Sequence, residues 1–138
     1  MVISKRIQLN TRGNGQILDI TGEVRRQVQD TDLEAGIVTL FTPSATSALT
    51  TIEYESGAVS DLQQLFDRIA PPDIEYRHNL RWGDGNGHSH ARHALMGPSL
   101  TIPFVEGQLT LGTWQQIVFM DFDVRSRSRS LIVQILGE

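Results

Sequence analysis

The last third of the chain is written almost entirely as strands, and this limits the fold more than any other feature. Leu100 to Val105, a turn at Glu106-Gly107, and Gln108 to Leu111 read as a hairpin. Gln115 to Phe122 and Ser130 to Leu136 are two further apolar, β-branched runs. Earlier in the chain, helices interleave only loosely with strands. Residues 4–10 alternate as a strand, 11–15 are a turn and Gln16 to Ile20 a second strand, so the opening is expected to be a hairpin. Thr21 is placed to cap a helix over 22–30, with Val24 and Val28 on one face. Gly36 to Thr42 is the best central strand of the first half, and the Thr-rich stretch 45–53 is the next strand.

The clearest helix covers residues 56–69. Val59, Leu62, Leu65 or Phe66, and Ile69 recur at three-to-four spacing, and Pro71-Pro72 ends it because proline cannot donate the helical hydrogen bond. A polar stretch follows. Asn86 is placed to cap a helix running to Met96, with Gly97 as the residue that tolerates positive φ. Regular βαβ alternation is excluded. The expected class is α+β with mostly antiparallel pairing.

Composition supports one globular domain over residues 1–138: hydrophobic residues make up 39% and charged residues 20%. With no cysteine, disulfide frameworks, thiolate metal sites and a cysteine nucleophile are excluded. A net charge of −4 argues against a nucleic-acid partner. No run approaches a membrane span, and the charged opening residues lack the apolar core of a signal peptide, so a cytoplasmic protein is expected. Neither a dinucleotide fingerprint nor a Walker loop is present.

All four histidines, His78, His88, His90 and His93, fall within residues 78–93. Imidazole is both a near-neutral base and the commonest zinc ligand, and three converging histidines leave an open coordination position. In extended chain His88 and His90 point to the same side. In a helix they diverge by roughly 200°, and His90 and His93 share a face instead. The flanking Gly85 and Gly87 make room for the extended reading at His88, with the helix starting near it, and a solvated polar loop is the alternative to a metal site. Asp84-Gly-Asn86 superficially resembles a calcium loop, but Leu95 stands where the bidentate Glu belongs.

Arg125, Arg127 and Arg129 alternate, which in a strand gives three guanidinium groups on one face: a phosphate clamp, or a solvated edge. Asp121 and Asp123 stand close enough in sequence to pair with them. Glu53 and Glu55 flank Tyr54, and either carboxylate suits a general base, an orienter of a ligating histidine, or a helix cap. Trp114-Gln115 follows a turn; a buried core Trp is the commoner explanation of such a residue.

Together, TTIEYE, YRHN, the long run GDGNGHSHARHALMGPSLTIPFVEGQLTLGTWQQIVFMDFD and the closing VQILGE resemble the YjbQ family, also labelled as a secondary thiamine-phosphate synthase family. The resemblance covers about residues 5–138. It implies two packed, mostly antiparallel sheets with a few helices, a homotrimer, and a His-lined site compatible with a divalent metal, thought to be zinc. It also implies joining of a pyrimidine diphosphate to a thiazole phosphate. Mapped onto this chain, it implies His78, His88 and His90 as metal ligands and His78, His90 and Glu53 as the catalytic groups. Trp114, Gln115 and Arg129 are then the substrate-binding groups, joined by Arg125 from the alternating arginines, for a small phosphorylated substrate. The alternative is a trimeric metal- or phosphate-binding module without catalysis. One departure stands out: where many members carry a His opening the Thr-rich segment, this chain has Ser44.

Overall fold

The computed structural model describes residues 1–138. Eight strands and four helices follow in the order β1 (Val2–Thr11), β2 (Gln16–Asp19), α1 (Thr21–Gln29), β3 (Ala35–Phe41), β4 (Ser47–Ile52), α2 (Ser56–Ile69), α3 (Arg77–Trp82), α4 (Gly87–Met96), β5 (Ser99–Val105), β6 (Gln108–Leu109), β7 (Gln116–Asp121) and β8 (Arg127–Gly137). One sheet has the order β1-β8-β3-β5-β6 and the other β2-β7-β4. All pairings are antiparallel. The α+β expectation is therefore met, and no helix is long and apolar enough to cross a membrane.

The expected opening hairpin does not form. β1 pairs with β8 in the larger sheet, whereas β2 pairs with β7 in the smaller one. The chain changes sheets within Gly13, Asn14 and Gly15, all of which have positive φ. Their turn is held from outside: the Asn14 N–H donates to the Asp123 carbonyl at 2.6 Å and the Gly15 N–H to the Asp121 carbonyl at 2.8 Å. Thr21 is likewise the first residue of α1 and not its cap; its hydroxyl donates to the Asp19 carboxylate at 2.7 Å. The short helix α3 carried no expectation, because the polar sequence from Arg77 to Trp82 lacks an apolar stripe.

The principal core lies between the two sheets. Ile7, Val38, Leu40, Ile102, Phe104, Leu131, Val133 and Ile135 from the larger sheet meet Leu49, Ile117 and Phe119 from the smaller, with Val24 and Val28 of α1 closing one end. The other face of the smaller sheet, Ile17, Ala48, Val118 and Met120, packs beneath α2 with Phe66 and Phe122. Strand β7 is thus covered on both sides, which is why residues 117–120 are a continuous apolar run and not an alternating one. Glu55 caps α2, accepting from the Gly57 and Ala58 amides at 2.6 and 2.8 Å. These two bonds hold its carboxyl below the ordinary range and settle Glu55 as a cap.

Candidate functional site

The polar residues of the chain gather at the end of the smaller sheet where β7 leaves toward β8. Asp121 ends β7 fully buried, and Asp123 is nearly so. Both take an arginine: Arg129 binds Asp121 with two parallel bonds of 2.8 and 2.9 Å, and Arg127 approaches Asp123 to 2.6 Å. Burial works to raise the Asp123 carboxyl, but the Arg127 hydrogen bond, the Val124 amide and the Arg127 charge outweigh it and hold the group below its usual value. Arg129 also donates to Ser44 Oγ (3.0 Å) and Thr46 Oγ1 (2.8 Å). Ser44 therefore fixes the loop ahead of β4 to this buried pair.

The same loop receives two histidines from α4. His90 Nδ1 lies 2.9 Å from the Ala45 carbonyl oxygen and His93 Nδ1 2.6 Å from that of Ser47. A carbonyl only accepts, so each Nδ1 carries a proton, and in the neutral ring each Nε2 keeps its lone pair. His78 of α3 sits against His90, ring centroids 4.4 Å apart and edge to face. Its Nε2 is 3.0 Å from the Asn86 side-chain amide and 3.2 Å from an Asp84 carboxylate oxygen. Asn79 of α3 joins the two helices by accepting the Gly87 amide at 2.9 Å. Any side chain at Gly87 would run into Tyr76, so the close approach of α3 and α4 requires a glycine there.

Beside Asp84 and Asn86 lies a groove of about 230 Å³, lined by these two residues and by Asp123, Val124, Arg125 and Arg127. Arg125 sits in the turn ahead of β8, so the three arginines do not share one strand face. Arg127 and Arg129 are neutralised by their aspartates.

The extended reading of His88 is corrected. Helix α4 begins at Gly87, so His88 and His90 leave it in opposite directions. His88 is 3% exposed and its ring faces Tyr76, centroids 6.4 Å apart. Accordingly, the set His78, His88 and His90 does not converge, and no three His, Asp or Glu side chains are arranged to hold an ion in this geometry. His78 and His90, with Asp84, are the donors that remain together.

Glu53, Trp114 and Gln115 lie elsewhere. Glu53 follows Ile52 at the far end of β4, which spans six residues, roughly 20 Å of extended chain. Ile52 faces Gln116 in register, so Trp114 and Gln115 share that far end. Gln115 bridges the Thr51 hydroxyl and the Gly112 amide at 3.0 Å each, locking the turn. Trp114 is 73% exposed, not the buried core residue a lone Trp suggests. Sequence reasoning also passed over Arg92, which is 5% exposed. Its place one helical turn after His88 was the available signal.

Two antiparallel sheets, a helical cover on the smaller one, and a groove of aspartate, asparagine and arginine at its edge define a small α+β protein with a polar candidate site. The chain belongs to the YjbQ-like UPF0047 family: the family model, described as "UPF0047 protein YjbQ-like", matches residues 5–138. A UPF0047 protein of Archaeoglobus fulgidus is 36% identical over 130 residues, covering 94% of this chain and 98% of that one. The crystal structure of a YbjQ-like protein from Sulfolobus solfataricus P2 superposes with a TM-score of 0.90 at 28% identity, covering all of both chains. That of a hypothetical protein from Aeropyrum pernix K1 gives 0.91 at 31% identity, covering 99% of each.

Proposed function

We propose that the groove beside α3 and α4 handles a small phosphorylated molecule in the cytoplasm, with chemistry resembling thiamine-phosphate synthase. The observation that carries this reading is a groove lined by Arg125, Arg127 and Asp84, with His78 behind it, its Nε2 3.2 Å from the Asp84 carboxylate. Arg125 makes no ion pair and offers its guanidinium fork to a phosphate. His78, ion-paired to Asp84 when protonated, is placed to give or take a proton. His78, His90 and Asp84 stay together but are not arranged as a three-donor site, so a divalent cation such as zinc enters this reading without a defined ligand set and no step runs through it. His90 keeps the Nε2 lone pair open, because its Nδ1–H is anchored on a carbonyl.

The second reading, a homotrimer that binds metal or phosphate without catalysis, is favoured by Glu53, Trp114 and Gln115. They stand away from the histidines on an exposed end, available to another copy of the chain.

Purified protein is assayed with a pyrimidine diphosphate and a thiazole phosphate, its metal content measured and its mass in solution determined. The enzymatic reading expects product formation that falls at least tenfold in His78→Ala and in Arg125→Ala. A trimer with bound metal and no turnover supports the second reading. Turnover indifferent to both substitutions overturns the first.

A further inference from the structure

On the opposite side of α4 from His90 is a separate cavity of about 130 Å³, lined by Asn14, Asp67, Pro72, Gly85, His88, Arg92 and Val124. Its polar groups are unusually underused. Arg92 is buried, and its guanidinium stands over the rings of Phe66 and Phe122 at 5.5 and 5.7 Å. Nε donates to the Ala70 carbonyl at 3.1 Å, and Nη2 to the same carbonyl at 2.9 Å and to Asp67 at 3.1 Å. Those bonds leave both protons of Nη1 without an acceptor, and a guanidinium has no other use for them. Nη1 lies on the Gly15 side, toward the sheet-changing turn that carries Asn14.

His88 is 3% exposed with Nδ1 sealed and unpartnered. Burying such a group without a partner is costly. Nε2 has no protein partner and is not sealed, so in the Nε2–H tautomer it donates into the cavity. The Asn14 side chain is also free of protein hydrogen bonds. The one carboxylate in the lining, Asp67, is already engaged by Arg92 and is 65% exposed.

From this convergence of Arg92 Nη1, His88 and Asn14 we infer that the cavity is a binding site for a small tetrahedral oxyanion, phosphate in class. Donors without acceptors define a ligand that only accepts, and the buried guanidinium defines its charge. The site is distinct from the groove of the proposed function, since His88 and His90 leave α4 in opposite directions. Its ligand is either the free ion or the phosphoryl end of a larger molecule reaching past Val124, which also lines the neighbouring groove.

The test is calorimetric titration of the full chain with inorganic phosphate and, separately, with methyl phosphate. Five variants accompany the parent: His88→Ala, Arg92→Lys, Asn14→Gly (which keeps the left-handed backbone), His78→Ala and, as a neutral control, Gly22→Ala. Circular dichroism checks that each is folded. Saturable binding of phosphate, weakened at least tenfold in His88→Ala and Arg92→Lys and unchanged in Gly22→Ala, is expected. Binding of phosphate alone identifies a free-ion site; binding of both identifies a phosphoryl group as the ligand. Should Arg92→Lys not fold, His88→Ala and Asn14→Gly decide. No saturable binding, or binding equal in parent and folded variants, overturns the inference. Loss of phosphate binding in His78→Ala but not in His88→Ala would place the ion in the groove instead.

Discussion

Arg129 and Asp121 form a two-pronged ion pair between the sheets: Arg129 Nε and Nη2 meet the two carboxylate oxygens of an aspartate with no exposed surface. Thr11 of β1 adds its hydroxyl to the same carboxylate at 2.6 Å. Truncating Asp121 strands a mostly buried guanidinium, a change that typically costs about 3–5 kcal/mol. Asp121→Ala is expected to lower stability on that scale in urea unfolding. A cost below about 1 kcal/mol, the level of an exposed pair, would show that water reaches Arg129.

Asp123 makes the stability pH-dependent. Its carboxyl is depressed in the folded chain, so its contribution is complete above the unfolded value of ~3.9 and is lost as pH falls through the lower folded value. Urea midpoints measured from pH 6 down to pH 2 are expected to drop more steeply below about pH 4 in the parent than in Asp123→Asn. Parallel curves would remove Asp123 from the acid response.

The tautomers of His90 and His93 are open to direct observation. Nitrogen-15 spectra above the titration range are expected to show Nδ1–H in both rings, with Nε2 unprotonated. Replacing His93 by Ala leaves the Ser47 carbonyl without its ring donor and is expected to cost about 1 kcal/mol. An Nε2–H signal from either ring would contradict the carbonyl contacts.

Gly36 faces Gly137 in the β3–β8 register. A methyl group on Gly36 would overlap the Leu136 carbonyl oxygen and the backbone of Gly137, neither of which can swing aside. Gly36→Ala is expected to destabilise by about 1–3 kcal/mol or more, read as a lower thermal midpoint. Gly22→Ala is the control, because nothing lies within 4 Å of the position its methyl group would take.

The sequence disclosed elements whose patterning is local. Helix α2 agrees residue for residue, because its apolar stripe and the Pro71-Pro72 stop both lie within the segment. The β5–β6 hairpin is similarly read from its own turn, where Glu106 and Gly107 both have positive φ. The opening was misread because pairing is not a local property: Gly13-Asn14-Gly15 looks like a hairpin turn, and only the distant Asp121 and Asp123 carbonyls make it a crossing. The histidine cluster was visible as a cluster. Which rings meet depended on whether helix α4 includes His88, and the adjacent glycines made room for the wrong answer. Glu53 was drawn toward the histidines by residue type and by the family resemblance, and the length of β4 keeps it away.

The crossing at residues 13–15 has a mechanical consequence. A slip of β1 by one residue would have to be matched by β2 in the other layer, and both would have to break from the aspartates that anchor the corner. Neither layer can drift alone, so lengthening or shortening the chain at this corner should be far less tolerated than the same change at Asp30–Glu34, where the connection answers to one layer only.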